Sequence, residues 1–397
     1  MIQLPFGKPF SVMAKPAGSS CNLRCKYCYY LEKGKFYSSS DSHVMDGESL
    51  EIFIKDYIES QPSEVITFNW HGGEALLRPL DFYKKIISLQ KKYGVGSEIT
   101  NTIQTNGTLL TTEWCEFFKE NNWLVGLSID GPQRLHDYYR LSHKGGSSFN
   151  EVMRGIDLLN KNGVEWNILA TVNAVNADYP EETYTFLKNL GTQFIQFTPV
   201  VERIKESGML ATPLDDDAVI ADFSVSPEKW GRFMCKIFDI WVKSDVGRIY
   251  VQLFDATLAN RMGVPSPVCT MAKNCGDALA VEFNGDVYSC DHFVFPKYKL
   301  GNIHRQPLWK MSISSQQKKF GSKKSDSLPK KCLECPHLWG CHGECPRNRF
   351  IKTEEKGKRI NYLCEGYKMF FEHITPSIDF MKNELEAGRP PANIMLL

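Results

Sequence analysis

From residue 11 to about residue 245, short β-rich runs take turns with amphipathic helical stretches, and this alternation narrows the possible folds more than any other feature. The runs "FSVMAKP", "EVITFNWHGGE", "EITNTIQTNG", "WLVGLSIDGP", "EWNILATVNA" and "TQFIQFTPV" are separated by helix-like segments such as "GESLEIFIKDYIESQ" and "FNEVMRGIDLLNKNG". Strands alternating with helices of that length predict parallel βα units. Six of them predict an open, partial (β/α)6 barrel rather than a closed eight-fold one. Polar and glycine residues gather at the strand ends ("HGGE", "QTNG", "SIDGP"), where α/β folds place ligands. After residue 200 the alternation stops. "EKWGRFMCKIFDIWVKSDVG" reads as a helix closing a first domain over residues 1–245, and residues 246–397 read as a loop-rich second domain. Within it, "SISSQQKKFGSKKSDSLPKK" is polar and basic and is expected to be a solvated connector.

Composition excludes several classes of function. With 42% hydrophobic and 23% charged residues, the chain has the material for a sizeable core. A formal net charge of +1 gives no electrostatic reason to bind nucleic acid or an anionic membrane surface. The N-terminal stretch has no apolar run of signal-peptide length, and no later stretch approaches the roughly 18 apolar residues of a membrane span. The expectation is a soluble, cytoplasmic protein with no nucleic-acid and no membrane partner.

Thiols in a reducing compartment are better metal ligands than disulfide partners, and this chain has 13 cysteines. Cys115 and Cys235 stand alone in helix-like segments and read as small buried hydrophobes. The others divide unevenly. Cys21, Cys25 and Cys28 are spaced C-x3-C-x2-C in a loop directly after the first strand. Three thiolates hold three irons of a 4Fe–4S cubane and leave the fourth iron open to an external chelate. A zinc site would need a fourth ligand, and the triplet contains no histidine. The remaining eight, Cys269, Cys275, Cys290, Cys332, Cys335, Cys341, Cys345 and Cys364, are enough to close two cubanes completely, although C-x2-C pairs also occur in structural zinc sites.

The cysteine loop, with Tyr27 before its last thiol, resembles the radical S-adenosylmethionine (SAM) superfamily. One βα unit later, "HGGEALL" resembles that superfamily's Gly-Gly-Glu motif, so Gly72, Gly73 and Glu74 are the expected receptors of the methionine amino group. The eight distal cysteines resemble the SPASM-type extension. By that resemblance one cluster takes Cys269, Cys275, Cys290 and Cys345, and the other takes Cys332, Cys335, Cys341 and Cys364. The implied fold is α/β: a radical SAM partial (β/α)6 barrel, then a cysteine-rich SPASM-type domain with a C-terminal helix. Along nearly its whole length the chain is similar to the anaerobic sulfatase-maturating enzymes, most specifically in "QTNGTLL", "GLSIDGPQRLHD", "QFTPVVER" and "FNGDVYSCDHFVFPKYKLGNI".

That similarity implies an oxidoreductase that converts a Ser or Cys of an unfolded sulfatase to Cα-formylglycine under anaerobic conditions. Its cofactors would be three 4Fe–4S clusters and SAM, with a low-potential electron donor such as flavodoxin or ferredoxin. A SAM-derived radical would take a hydrogen atom from the substrate Cβ, an auxiliary cluster would accept an electron, and Asp291, beside Cys290, would be the base. Implied SAM contacts are Tyr27, Gly73, Ser128, Arg140 and Val201, with Asp130 shaping the same strand-end turn. His71 and Tyr30 are the expected substrate neighbours. Two alternatives remain at this point: a SPASM-type enzyme that crosslinks a ribosomal peptide, and a zinc-stabilised scaffold that binds peptides.

Overall fold

The computed structural model describes residues 8–38, 43–213 and 215–397, so the first seven residues of the N-terminal stretch lie outside it. In chain order it begins β1 (Ser11–Lys15), α1 (Gly47–Glu59), β2 (Val65–Trp70), α2 (Leu80–Tyr93), β3 (Glu98–Thr105), α3 (Thr112–Glu120) and β4 (Trp123–Ser128). There follow α4 (Gln133–His136), α5 (Phe149–Lys161), β5 (Trp166–Val172), α6 (Pro180–Lys188) and β6 (Phe194–Pro199). The chain continues through β7 (Arg203–Ile204), β8 (Val219–Ile220), α7 (Pro227–Ser244), β9 (Tyr250–Val251), α8 (Gln252–Arg261), β10 (Ala278–Glu282), β11 (Asp286–Tyr288) and β12 (Lys299–Asn302). The alternation of strands and helices up to β6 is the one the sequence predicts.

Two compact units result, each built from separate stretches of chain. The first contains the described residues up to Leu127, with Arg140–Trp166 and Gly276–Ser322; the second contains Ser128–Tyr139, Asn167–Cys275 and Lys323–Leu397. In the first, β1 pairs in parallel with β2 on one side and with β10 on the other, and β2, β3 and β4 continue the parallel set. The antiparallel strands β11 and β12 extend it beyond β10. The β1–β10 register sets Lys15 beside Glu282 at the carboxyl ends of both strands. In the second unit β6 lies parallel to both β5 and β9, and β7 and β8 form a short antiparallel pair between β6 and α7.

Local sequence explains the helix starts. The Asp46 side chain accepts from Ser49 N at the head of α1, Thr111 does the same for Trp114 at α3, and Ser226 caps α7 ahead of Pro227. Aromatic packing fills the first unit: Phe53, Phe68, Trp70, Tyr83, Phe118 and Trp123 are each almost fully buried. Each such side chain contributes about 1.5–3 kcal/mol before conformational entropy is subtracted. Among the described residues, no helix is long and apolar enough to cross a membrane.

The basic stretch expected to be a solvated connector is instead helical over Ser315–Asp326. Gln317 and Lys324, two turns apart, are almost wholly buried. Gln317 Nε2 donates to the carbonyls of Gly276 and Ser289, and Lys324 Nζ donates to those of Cys269 and Thr270. Backbone carbonyls take the place of water around these groups, which is why composition alone misjudged the segment.

Candidate active site

The cysteine loop and the "HGGE" turn are laced together through their backbones. Gly73 N donates to Gly18 O at 2.7 Å and Glu74 N donates to Ser20 O at 2.7 Å. Gly72 adopts φ 147°, a region that suits glycine. A Cβ on Gly73 would stand 2.0 Å from Ser20 O and 2.5 Å from Ser20 C, so the two segments approach as closely as they do only because the position is glycine. All 13 cysteines are thiols. Leu23 N lies 3.4 Å and Asn106 Nδ2 3.8 Å from Cys21 Sγ, two N–H donors aimed at a sulfur that would carry negative charge when bound to iron. Burial, with the charge of Glu74 adding to it, pushes the Cys21 thiol up to about 12. A metal must therefore displace that proton for the sulfur to become a ligand.

Glu74 is 1% exposed, and its carboxylate accepts from Leu76 N, Thr105 Oγ1 and Asn106 N at 2.7–2.9 Å. The side chain thus ties the "QTNG" strand end to the glycine turn; burial raises its pKa despite those donors. Asn106, which the sequence did not single out, completes the junction by donating to Asn22 Oδ1 at 2.8 Å. Tyr27 is buried under the Arg140 guanidinium, 5.7 Å from the ring centroid. In the second unit Ser128 and Val201 are buried, and Asp130 Oδ1 accepts from Thr171 N at 3.0 Å, which fixes the turn after β4.

A second group of charges surrounds Asp291. Its Oδ1 is 2.8 Å from Nζ of Lys15, whose side chain has no exposure, and its Oδ2 accepts from the Tyr29 hydroxyl at 2.6 Å. Burial opposes ionisation of Asp291, but the charge of Lys15, the largest of the opposing effects, outweighs it and holds the carboxyl well below the usual range. His71 Nδ1 lies 2.7 Å from Gly72 N and 3.2 Å from Gly72 O, so the glycine backbone holds the ring at that nitrogen. Burial first, and Lys15 second, lowers His71 to about 3, so the ring is a neutral N–H donor. Tyr30 turns the other way. It is 2% exposed, its hydroxyl donates to Glu282, and Lys15 Nζ sits 4.5 Å from its ring centroid. The aromatic hydroxyl that reaches Asp291 is that of Tyr29.

Burial raises Glu282 from 4.5 to about 7, against the opposing effect of the Tyr30 hydrogen bond and the Lys15 charge. Below about pH 4.5 the group is protonated in both the folded and the unfolded chain. Between about 4.5 and 7 only the unfolded chain ionises, so this group's contribution to stability is lost as pH rises through that window. Glu282→Gln keeps the acceptor for Tyr30 and removes the titration. In anaerobic thermal melts the stability of the variant relative to the native chain should move in the variant's favour by about 1 kcal/mol between about pH 6 and about pH 8.5.

In the second unit Cys332, Cys335, Cys341 and Cys364 line one partly open cavity, together with Tyr367 and Phe371. Burial raises Cys341 to about 12, with Glu344, Cys364 and Cys332 adding to it, and raises Cys364 to about 11. Arg349 braces the wall, donating to the carbonyls of Gly343, His342, Glu344 and Lys324. Four thiols lining one cavity are the ligand set that a 4Fe–4S cluster takes. Cys269, Cys275 and Cys345 all act on the charge of buried Lys324 and so gather near its amine. Cys290 belongs to the first unit, immediately before Asp291.

Residues 16–187 match the Radical SAM superfamily and residues 269–336 match SPASM, an iron–sulfur cluster-binding domain. With the thiol loop and the four-cysteine cavity, these matches define a radical SAM enzyme that carries auxiliary iron–sulfur clusters. The chain is 57% identical over 395 residues to a serine-type anaerobic sulfatase-maturating enzyme of Bacteroides thetaiotaomicron, covering 98% of this chain and 95% of that one. It is 33% identical to a cysteine-type enzyme of Clostridium novyi, over 95% of this chain and 98% of that one. Native anSMEcpe with bound AdoMet and Cp18Cys peptide has the same fold, with a TM-score of 0.84 at 31% identity over 95% of this chain and 99% of that one. The chain belongs to the anaerobic sulfatase-maturating enzymes.

Proposed function

We propose that this enzyme oxidises a serine of an unfolded sulfatase to Cα-formylglycine. The 57% identity to a serine-type relative, maintained across nearly the whole of both chains, carries this reading. Cys21, Cys25 and Cys28 hold the cluster that SAM chelates, and the eight distal cysteines hold two further clusters, one of them in the cavity of Cys332, Cys335, Cys341 and Cys364. When bound, these groups supply a radical that takes a hydrogen atom from the substrate Cβ and an acceptor for the remaining electron.

The chain's own residues do the rest. Tyr27 and Arg140 form one wall of the SAM pocket, and the Gly72–Gly73–Glu74 turn receives the amino group of SAM. Asp291 Oδ2 takes the proton from the serine Oγ; the buried Lys15 keeps the carboxylate in place while it does so. His71, held at Nδ1 by the Gly72 backbone, presents its Nε2 edge to the substrate. A low-potential carrier such as flavodoxin or ferredoxin is the expected reductant. Two peptides that differ only in Ser or Cys at the target position, mixed in equal amounts with SAM and reductant, test the assignment. The serine peptide should be converted faster, whereas conversion of the cysteine peptide alone would overturn the serine-type reading.

A further inference from the structure

The two oxygens of Asp291 are held by partners of very different mobility. Oδ1 faces Lys15, which has no exposed side-chain surface and ends a strand paired on both sides. The Lys15 amine also donates to Met13 Sδ at 3.2 Å and lies over the Tyr30 ring. To leave Asp291, Lys15 would have to strand a charge inside the sheet, so this contact is permanent. Oδ2 accepts from Tyr29, which is only half-buried and belongs to the loop after Cys28 rather than to a strand. The Tyr29 ring stacks on His292, with centroids 4.9 Å apart and planes 17° apart, and can leave by turning about its own side-chain bonds.

We propose that the Tyr29 hydroxyl is a placeholder: it occupies the Oδ2 position that the hydroxyl of the substrate serine takes on binding, while Lys15 holds Oδ1 throughout. The inference rests on the serine reading above. One hydroxyl replaces another of the same kind on a charged acceptor, so the buried carboxylate is never left without a hydroxyl donor. Tyr29 in this role is a positioning residue, and its presence costs the substrate some affinity.

The test is equilibrium binding, under anaerobic conditions, of two sulfatase-motif peptides to the cluster-loaded enzyme, one with Ser at the target position and one with Ala. The Ala peptide brings no hydroxyl and cannot replace Tyr29. Tyr29→Phe should therefore tighten the Ser peptide about three- to ten-fold and leave the Ala peptide within about two-fold. If Tyr29 merely supports the loop, both peptides will weaken together. Equal effects on the two peptides, or weaker Ser binding, would overturn the placeholder while leaving the function standing. If the native enzyme neither binds nor oxidises the Ser peptide, both proposals fall. Lys15→Met adds a second arm. It should lower aldehyde formation per SAM cleaved at least ten-fold without tightening the Ser peptide, and an unchanged ratio would contradict the fixed role of Lys15. The Tyr29→Phe comparison decides the proposal even where Lys15→Met fails to fold.

Discussion

Asp291→Asn should abolish aldehyde formation while SAM cleavage continues. The substitution keeps the outline of the side chain but removes the negative charge and the site that takes a proton. General-base contributions are typically worth 10²–10⁴ in rate, so the aldehyde yield should fall at least about 100-fold. In the proposed site SAM is held elsewhere, by the cysteine loop and the glycine turn, so 5′-deoxyadenosine should still form. Lys15 complicates the variant, because its buried amine loses a carboxylate 2.8 Å away, and breaking a buried pair commonly costs about 3–5 kcal/mol. Iron content and thermal melting of Asp291→Asn therefore need to be measured beside the turnover. A folded, cluster-loaded variant with native aldehyde yield would remove Asp291 from the mechanism.

Gly73→Ala should act on the opposite end of the chemistry. The added methyl would meet the backbone of Ser20 at 2.0 Å, and neither partner is a flexible side-chain tip that can move aside. Relief requires the segment leading into Cys21 to shift by about 1 Å, a displacement that can cost about 100-fold at a reacting centre. SAM cleavage should fall by at least that factor, and about a third of the iron should be lost with the N-terminal cluster. The cavity of Cys332, Cys335, Cys341 and Cys364 lies in the other unit and should keep its iron. Native SAM cleavage by Gly73→Ala would contradict the close approach that ties the two loops together.

Much of this site was legible in the sequence because it is carried by local spacing. C-x3-C-x2-C after a strand, "HGGE" one unit later and Cys290–Asp291 are each readable within a dozen residues, and the structure sets the first two against one another. Lys15 was not legible. In "VMAKP" it reads as a cation ending a strand, and only the pairing of β1 with β10, far apart in sequence, places it beside Glu282 and in reach of Asp291. The adjacent Tyr29 and Tyr30 could not be told apart either. Which ring faces Asp291 depends on the backbone of an irregular loop, which has no period from which to infer direction. The burial of Lys324 escaped notice for a further reason: its partners are carbonyl oxygens, which every residue possesses.

The most direct test of the whole account follows hydrogen. Anaerobic enzyme, reductant and SAM are incubated with a sulfatase-motif peptide whose target serine carries deuterium at Cβ, and both products are read by mass. The account predicts that the residue ends as an aldehyde, having lost its Oγ proton and one Cβ deuterium, with that deuterium recovered in 5′-deoxyadenosine. Deuterated 5′-deoxyadenosine with a crosslinked peptide, or an unchanged peptide beside unlabelled 5′-deoxyadenosine, would contradict it.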